Sequence, residues 1–199
     1  MTDNALSWTT VDIGSEPPAD YYCPTRDVAD GRLPKLFALA VQNSLSENKA
    51  SLLTALAAEL TANCFDHNLG SWRDIFGCWL SFQYVNQSLA IVVADRGQGI
   101  LQSLKHVDAN LNSDHDALIV ALTKQISGRY PERRGRGLKF IMASLNQEFP
   151  RARFIIHTGE TRFDAVFPLG NTDLASLLTN PNKTVLGTYA KLVIVSNVK

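Results

Sequence analysis

Glu59-Leu-Thr-Ala-Asn63-Cys-Phe-Asp66-His67 is the stretch on which the fold turns. It closes a run, residues 50–67, in which Leu53, Leu56, Ala57, Leu60 and Cys64 recur at helical spacing. Asn68-Leu69-Gly70 stops that helix. At 100° per residue, Glu59, Asn63, Asp66 and His67 form one polar stripe. The stripe lies beside the apolar stripe, not opposite it. Polar groups at the edge of a buried face line a cleft more readily than they meet bulk water. A solvated helix flank with chance spacing is the competing reading.

Working outward, the chain alternates elements of both kinds. A helix is expected to begin near Pro34, a residue favoured in a first turn, with Leu36, Phe37, Leu39, Ala40 and Val41 facing the core. Trp79–Tyr84 and Leu89–Ala94 flank Asn86-Gln87 and read as a hairpin. Ser113 is a candidate N-cap with Asp116 three residues on, and Leu118, Ile119, Leu122 and Ile126 form the apolar side of a helix that Gly128 ends. Leu138–Asn146 reads as helix. Arg153–His157 and Phe163–Phe167 pair around Thr158-Gly159-Glu160, and Thr188–Val195 is a last strand. The expected class is α+β: a two-layer sandwich, with helices on one face of a mostly antiparallel mixed sheet. Residues 1–32, with Pro17-Pro18 and Pro24, read as an N-terminal arm carrying a short strand near Trp8–Ile13. Residues 33–199 form the domain.

Composition fits an ordinary globular protein. Of 199 residues, 45% are apolar and 19% charged, with a formal net charge of zero. Zero net charge argues against nucleic-acid binding through bulk charge. Three cysteines, Cys23, Cys64 and Cys78, without Cys-x-x-Cys spacing give neither a disulfide framework nor a zinc signature. Cys64 and Cys78 read as small core residues in a reducing, cytoplasmic setting. No signal peptide is read at the N-terminus, and no apolar run approaches the ~18 residues of a membrane span.

Two further stretches carry chemistry. Val92-Val93-Ala94-Asp95-Arg96-Gly97-Gln98-Gly99-Ile100 is an apolar strand that delivers an aspartate, then two glycines that let the backbone turn or approach a ligand. A carboxylate there accepts hydrogen bonds from an amino group such as that of adenine. A simple Asp/Gly turn is the alternative. Arg133-Arg134-Gly135-Arg136-Gly137-Leu138-Lys139 opens a helix, where free N–H groups and the helix dipole suit phosphate. A basic loop is the alternative. Neither the P-loop spacing nor the dinucleotide fingerprint is present.

In this order the three stretches resemble the GHKL superfamily of ATPases: gyrase-type topoisomerases, heat-shock chaperone ATPases, histidine kinases and MutL. Glu59-x-x-x-Asn63-x-x-x-His67 resembles the N box, Asp95-x-Gly97-x-Gly99 the first glycine box and Gly135-x-Gly137-Leu138 the second. The resemblance spans roughly 35–195. It is nearest to the small stand-alone members, the anti-sigma-factor-type serine kinases.

The resemblance implies ATP and Mg²⁺. Asn63 would hold the metal and Asp95 the adenine amino group, with Gly97 and Gly99 shaping the base pocket. Arg134, Gly135, Arg136, Gly137 and Leu138 would meet the nucleotide from a lid covering about 100–136. Asp66, His67, Ile100 and Thr188 complete the implied nucleotide set, His67 with a capping or packing role as its alternative. Glu59 would be the catalytic base. Lys139 departs from the family pattern, which has a third glycine there; a solvent-facing side chain is expected.

Three functions follow. One is an ATP-dependent protein serine/threonine kinase or slow ATPase acting with a regulatory partner protein, of the anti-sigma or antagonist type. Another is a nucleotide-gated binding module with little turnover, for which Phe65 is a candidate partner anchor, with a second buried contact as its alternative. The third is a protein-binding scaffold without nucleotide. The resemblance also makes a homodimer an expectation.

Overall fold

The computed structural model describes residues 4–68, 70–124 and 137–196. Its centre is a seven-stranded sheet in which every neighbouring pair runs antiparallel. The strands are β1 (Tyr22–Cys23), β2 (Cys78–Val85), β3 (Ser88–Asp95), β4 (Ala152–Gly159), β5 (Thr161–Phe167), β6 (Leu178–Thr179) and β7 (Val185–Val195), in the order β1-β2-β3-β7-β4-β5-β6. The sheet is thus antiparallel rather than mixed. The hairpin turn at Asn86-Gln87 has both residues at positive φ, 50° and 58°, the geometry that matches strand twist in a two-residue connection.

Period-two burial splits the sheet into two faces. Leu89, Ile91 and Val93 of β3, Phe154 and Ile156 of β4, and Ala190, Leu192 and Ile194 of β7 enter the main core. Over that face lie α2 (Arg26–Gln42), α3 (Glu47–Asn68) and α6 (Gly137–Glu148). Leu53, Leu56, Ala57, Leu60 and Cys64 are the buried stripe of α3, as its periodicity predicts. Two further helices, α4 (Gly99–Lys105) and α5 (Asp114–Thr123), follow β3. Ser113 caps α5, its hydroxyl accepting from the Asp116 N–H at 3.1 Å. The end expected at Gly128 lies outside the described residues.

Several expectations are corrected. The expected strand near Trp8–Ile13 is instead a helix, α1 (Asn4–Thr10), which buries Ala5, Trp8 and Thr9. It lies on the opposite sheet face, against Trp79, Val92, Ala94, Ile155 and Tyr189. The helices therefore do not all share one face. Residues at i, i+3 and i+4 carry the burial, a pattern too short to stand out in the sequence. α2 starts eight residues before Pro34, at Arg26, because Thr25 caps it and accepts from Val28 N–H. Pro34 lies inside the helix. Its missing N–H costs a backbone bond, and the buried stripe Ala29, Leu33, Leu36 and Ala40 offsets that cost. Residues 26–32 consequently belong to the same helix as 33–42. α4, β1 and β6 were not anticipated.

Candidate functional site

The C-terminal half of α3, the end of β3, the start of α4, the start of α6 and the β4–β7 ladder enclose an open cleft of about 100 Å³. A single water needs about 10–15 Å³ by the same measure, so the cleft has room for a ring-sized group. Leu60, Val93, Ile100, Leu104, Leu138, Ile156 and Ala190 give it apolar walls. Asn63, His67, Asn68, Asp95, Ser103 and Thr188 supply the polar groups. An apolar pocket with a few convergent polar groups is the ordinary form of a small-molecule site.

Asp95 is the last residue of β3 and is only 3% exposed. Its Oδ1 accepts from the Gly97 N–H at 2.9 Å and from the Asn68 amide at 2.8 Å. Burial raises its pKa to about 6, against hydrogen bonds from Gly97, Asn68, Cys64 and the Thr188 backbone that favour the charged form. At neutral pH it is a buried acceptor at the cleft. Thr188 stands opposite it in the β3–β7 register.

Gly99 needs to be glycine: φ is +73°, and an added Cβ would meet Thr158 Oγ1 at 3.1 Å. Thr158 is itself fully buried. It accepts from the Ile100 N–H at 3.1 Å and donates to the Gly187 carbonyl at 3.2 Å, so it pins the first turn of α4 to the sheet. His67 Nδ1 lies 3.0 Å from Ser103 Oγ, and the Gln98 side-chain amide donates to the His67 carbonyl. These contacts fasten α4 to the end of α3.

α6 begins at the cleft wall, where Gly137 and Leu138 line it. A Cβ on Gly137 would sit 2.7 Å from Glu59 Oε2 and 3.7 Å from Asn63 Nδ2. The carboxylate and amide of α3 therefore border the backbone of Gly137. Residues drawn from three separated stretches line the cleft: Asn63, Asp95 and Gly99, Gly137 and Leu138; Glu59 is not in the lining and reaches the site only beside Gly137. Ile100, His67 and Thr188 join them in the wall. Gly97 packs behind Asp95, where an added Cβ would collide with the Asn68 side chain. Asp66 points elsewhere, bonding Arg26 at 3.1 Å. Lys139 is exposed. Arg134, Gly135 and Arg136 lie outside the described residues.

Three groups have no motif signature in the sequence. Asn68 has the look of a helix stop, and Thr158 of a hairpin residue. Arg96 stands between Asp95 and Gly97, and its side chain is fully buried. An amide and a hydroxyl at element ends are common, so nothing in the sequence distinguishes them. Arg96, a cation directly after an apolar strand, was the one available signal.

All three cysteines are free and buried, Cys23 included. The Cys23 thiol, hydrogen-bonded to Cys78 and desolvated, is pushed far above the ordinary thiol range and is inert as a nucleophile. Among the described residues, no group of three or more His, Cys, Asp or Glu side chains forms a metal cluster. Among the described residues no helix is long and apolar enough to cross a membrane.

No protein-family model matches the chain, and no curated protein does. Among solved structures it is similar to the B subunit of the DNA gyrase from Myxococcus xanthus, at 14% identity and a TM-score of 0.37. That match covers 73% of this chain and 37% of the gyrase subunit, so the chain spans little more than a third of its length. No residue correspondence follows from similarity at that level.

Proposed function

We propose that this chain is a Mg·ATP-binding regulatory protein of the GHKL type that transfers the γ-phosphate slowly, to a hydroxyl of a partner protein or to water. One observation carries the reading: Asp95, a buried acceptor, lines the same apolar-walled cleft as Asn63 and Gly137, with Glu59 beside Gly137. The residues fit the ligand. A carboxylate accepts from an exocyclic amine, and the apolar walls take a flat ring. Asn63 offers an amide oxygen to magnesium. The metal would offset phosphate charge, and Glu59 would accept the proton of an attacking hydroxyl.

A second reading keeps nucleotide binding and drops turnover. Its support is an aromatic surface beside α3. Phe65 stacks edge-on with Trp72, and Trp72 with Phe76, which is 66% exposed. A partner that covers this surface would need no phosphoryl transfer.

Titration with a fluorescent ATP analogue, followed by a phosphate-release assay, tests both. Binding that Asp95→Asn weakens at least ~10-fold, a loss of about 1.4 kcal/mol, supports the pocket. Phosphate release lost in Glu59→Gln with binding intact supports the enzyme. Binding without release in the parent supports the module.

A further inference from the structure

Asn68 is the last residue of α3, only 3% exposed, and every polar atom of its amide is engaged. Nδ2 donates to Asp95 Oδ1 at 2.8 Å and to the Cys64 carbonyl at 2.9 Å. Oδ1 accepts from the Gln98 N–H at 3.0 Å. The amide orientation is fixed by these partners, since one is a carboxylate and another an N–H. One side chain therefore ties the helix that carries Glu59 and Asn63 to the loop that carries Asp95 and Gly99. Its neighbour across the turn is Gly97, which has no room for a Cβ.

The carboxylate of Asp95 has two oxygens. Asn68 and Gly97 both donate to Oδ1, and neither bond falls on Oδ2. Cys64 and the Thr188 backbone also bond the carboxylate, and all four donors favour its ionised form; Asn68 is the one side-chain amide among them. Without Asn68 the group keeps its burial and loses one of the bonds that offset it.

We propose that Asn68 is the positioning residue of this site: it holds Asp95 ionised and oriented as the acceptor for the amino group of a nucleotide base. The inference rests on the ATP reading for the ligand but not for the Asn68–Asp95 relation. Asn68 acts through Asp95 and touches no reacting atom. Gly97 is part of the same device, because the absent Cβ is the space that the Asn68 amide occupies.

Two readouts test it, on the parent chain, Asn68→Ala, Gly97→Ala and the double variant. The first is the titration of the Asp95 carboxyl by NMR without ligand. Asn68→Ala is expected to move the midpoint upward from about 6. Gly97→Ala is expected to do the same by displacing the amide, and the double variant to move it no further than Asn68→Ala alone, since residues of one network do not add. The second is Mg·ATP affinity against pH. Asn68→Ala is expected to bind at least ~10-fold more weakly at neutral pH and to recover toward the parent as pH rises and Asp95 ionises, a recovery that a merely structural loss would not show. An unmoved Asp95 titration, or a binding defect equal at every pH, overturns the proposal. A parent chain that binds no ATP, with the Asp95 shift intact, overturns the nucleotide reading and leaves the Asn68–Asp95 relation standing.

Discussion

Arg96 and Asp74 form a bidentate pair on the side of the sheet away from the cleft. Arg96 Nε meets Asp74 Oδ1 at 2.8 Å and Nη2 meets Oδ2 at 2.7 Å, with the guanidinium fully buried and the carboxylate a quarter exposed. Arg96 also donates to the Trp8 carbonyl at 2.6 Å and lies 5.8 Å from the Trp8 ring centroid. Asp74 in turn accepts from the Gly14 N–H at 2.8 Å. The residue next to Asp95 thus holds the N-terminal segment on the opposite face of the sheet.

Asp74→Ala leaves that buried cation without its carboxylate. Removing one partner of a buried pair costs about 3–5 kcal/mol, and the part-exposed carboxylate places this case at the low end. The expected result is lower stability and faster proteolysis within residues 4–20. An unchanged melting temperature with unchanged cleavage would contradict the clamp. Gly14→Ala tests it independently, since an added Cβ would lie 2.5 Å from Arg96 Nε and 2.8 Å from Asp74 Oδ2.

Asp95 makes stability depend on pH in an unusual direction. Its folded pKa, about 6, is above the unfolded 3.8. Between those values the folded state holds the extra proton. Asp95's contribution is therefore fully present below about 3.8 and is lost as pH rises through 6. The loss is about 3 kcal/mol from a shift near two units. Denaturant unfolding of the parent and Asp95→Asn from pH 4 to 7 is expected to show the parent falling relative to the variant over that window. Parallel profiles would contradict the burial argument.

His157 acts the other way. Burial and the charge of Arg162 lower its pKa to about 4, and its Nε2 is buried without a hydrogen-bond partner among the described residues. The unfolded state then binds more protons between about 4 and 6.5. Stability from this group is present above 6.5 and lost as pH falls toward 4. His157→Leu is expected to flatten that acid limb. An unaltered limb would show that His157 does not set it.

Gly99→Ala places a side chain at φ +73°, within 3.1 Å of Thr158 Oγ1 and 3.3 Å of the Gly187 carbonyl. The backbone alone costs about 1–2 kcal/mol. A lower melting temperature and weaker ATP binding together are expected. Normal binding in a destabilised chain would detach this turn from the site.

What was legible in the sequence was what local periodicity writes. The α3 stripe, both hairpins and the Ser113 cap rest on neighbours within a few residues. What was not legible depends on partners far along the chain. α1 is helical on a sheet face built by residues 79–189, and α2 tolerates Pro34 because its stripe is buried against the main core. The site divides the same way. Asn63, Asp95 and Gly99 stand in ordered motifs, and the structure brings them to one cleft. Asn68 and Thr158 acquire their partners 27 and 58 residues away, which no spacing rule reveals.

The central claim is that the cleft binds Mg·ATP through Asp95. Thermal unfolding with and without Mg·ATP, on the parent and Asp95→Asn, tests it most directly. Nucleotide at ~100 times its dissociation constant is expected to stabilise the parent by about 2.7 kcal/mol, with magnesium required and the gain absent in Asp95→Asn. No shift in the parent at millimolar nucleotide, or an equal shift in the variant, would contradict the account.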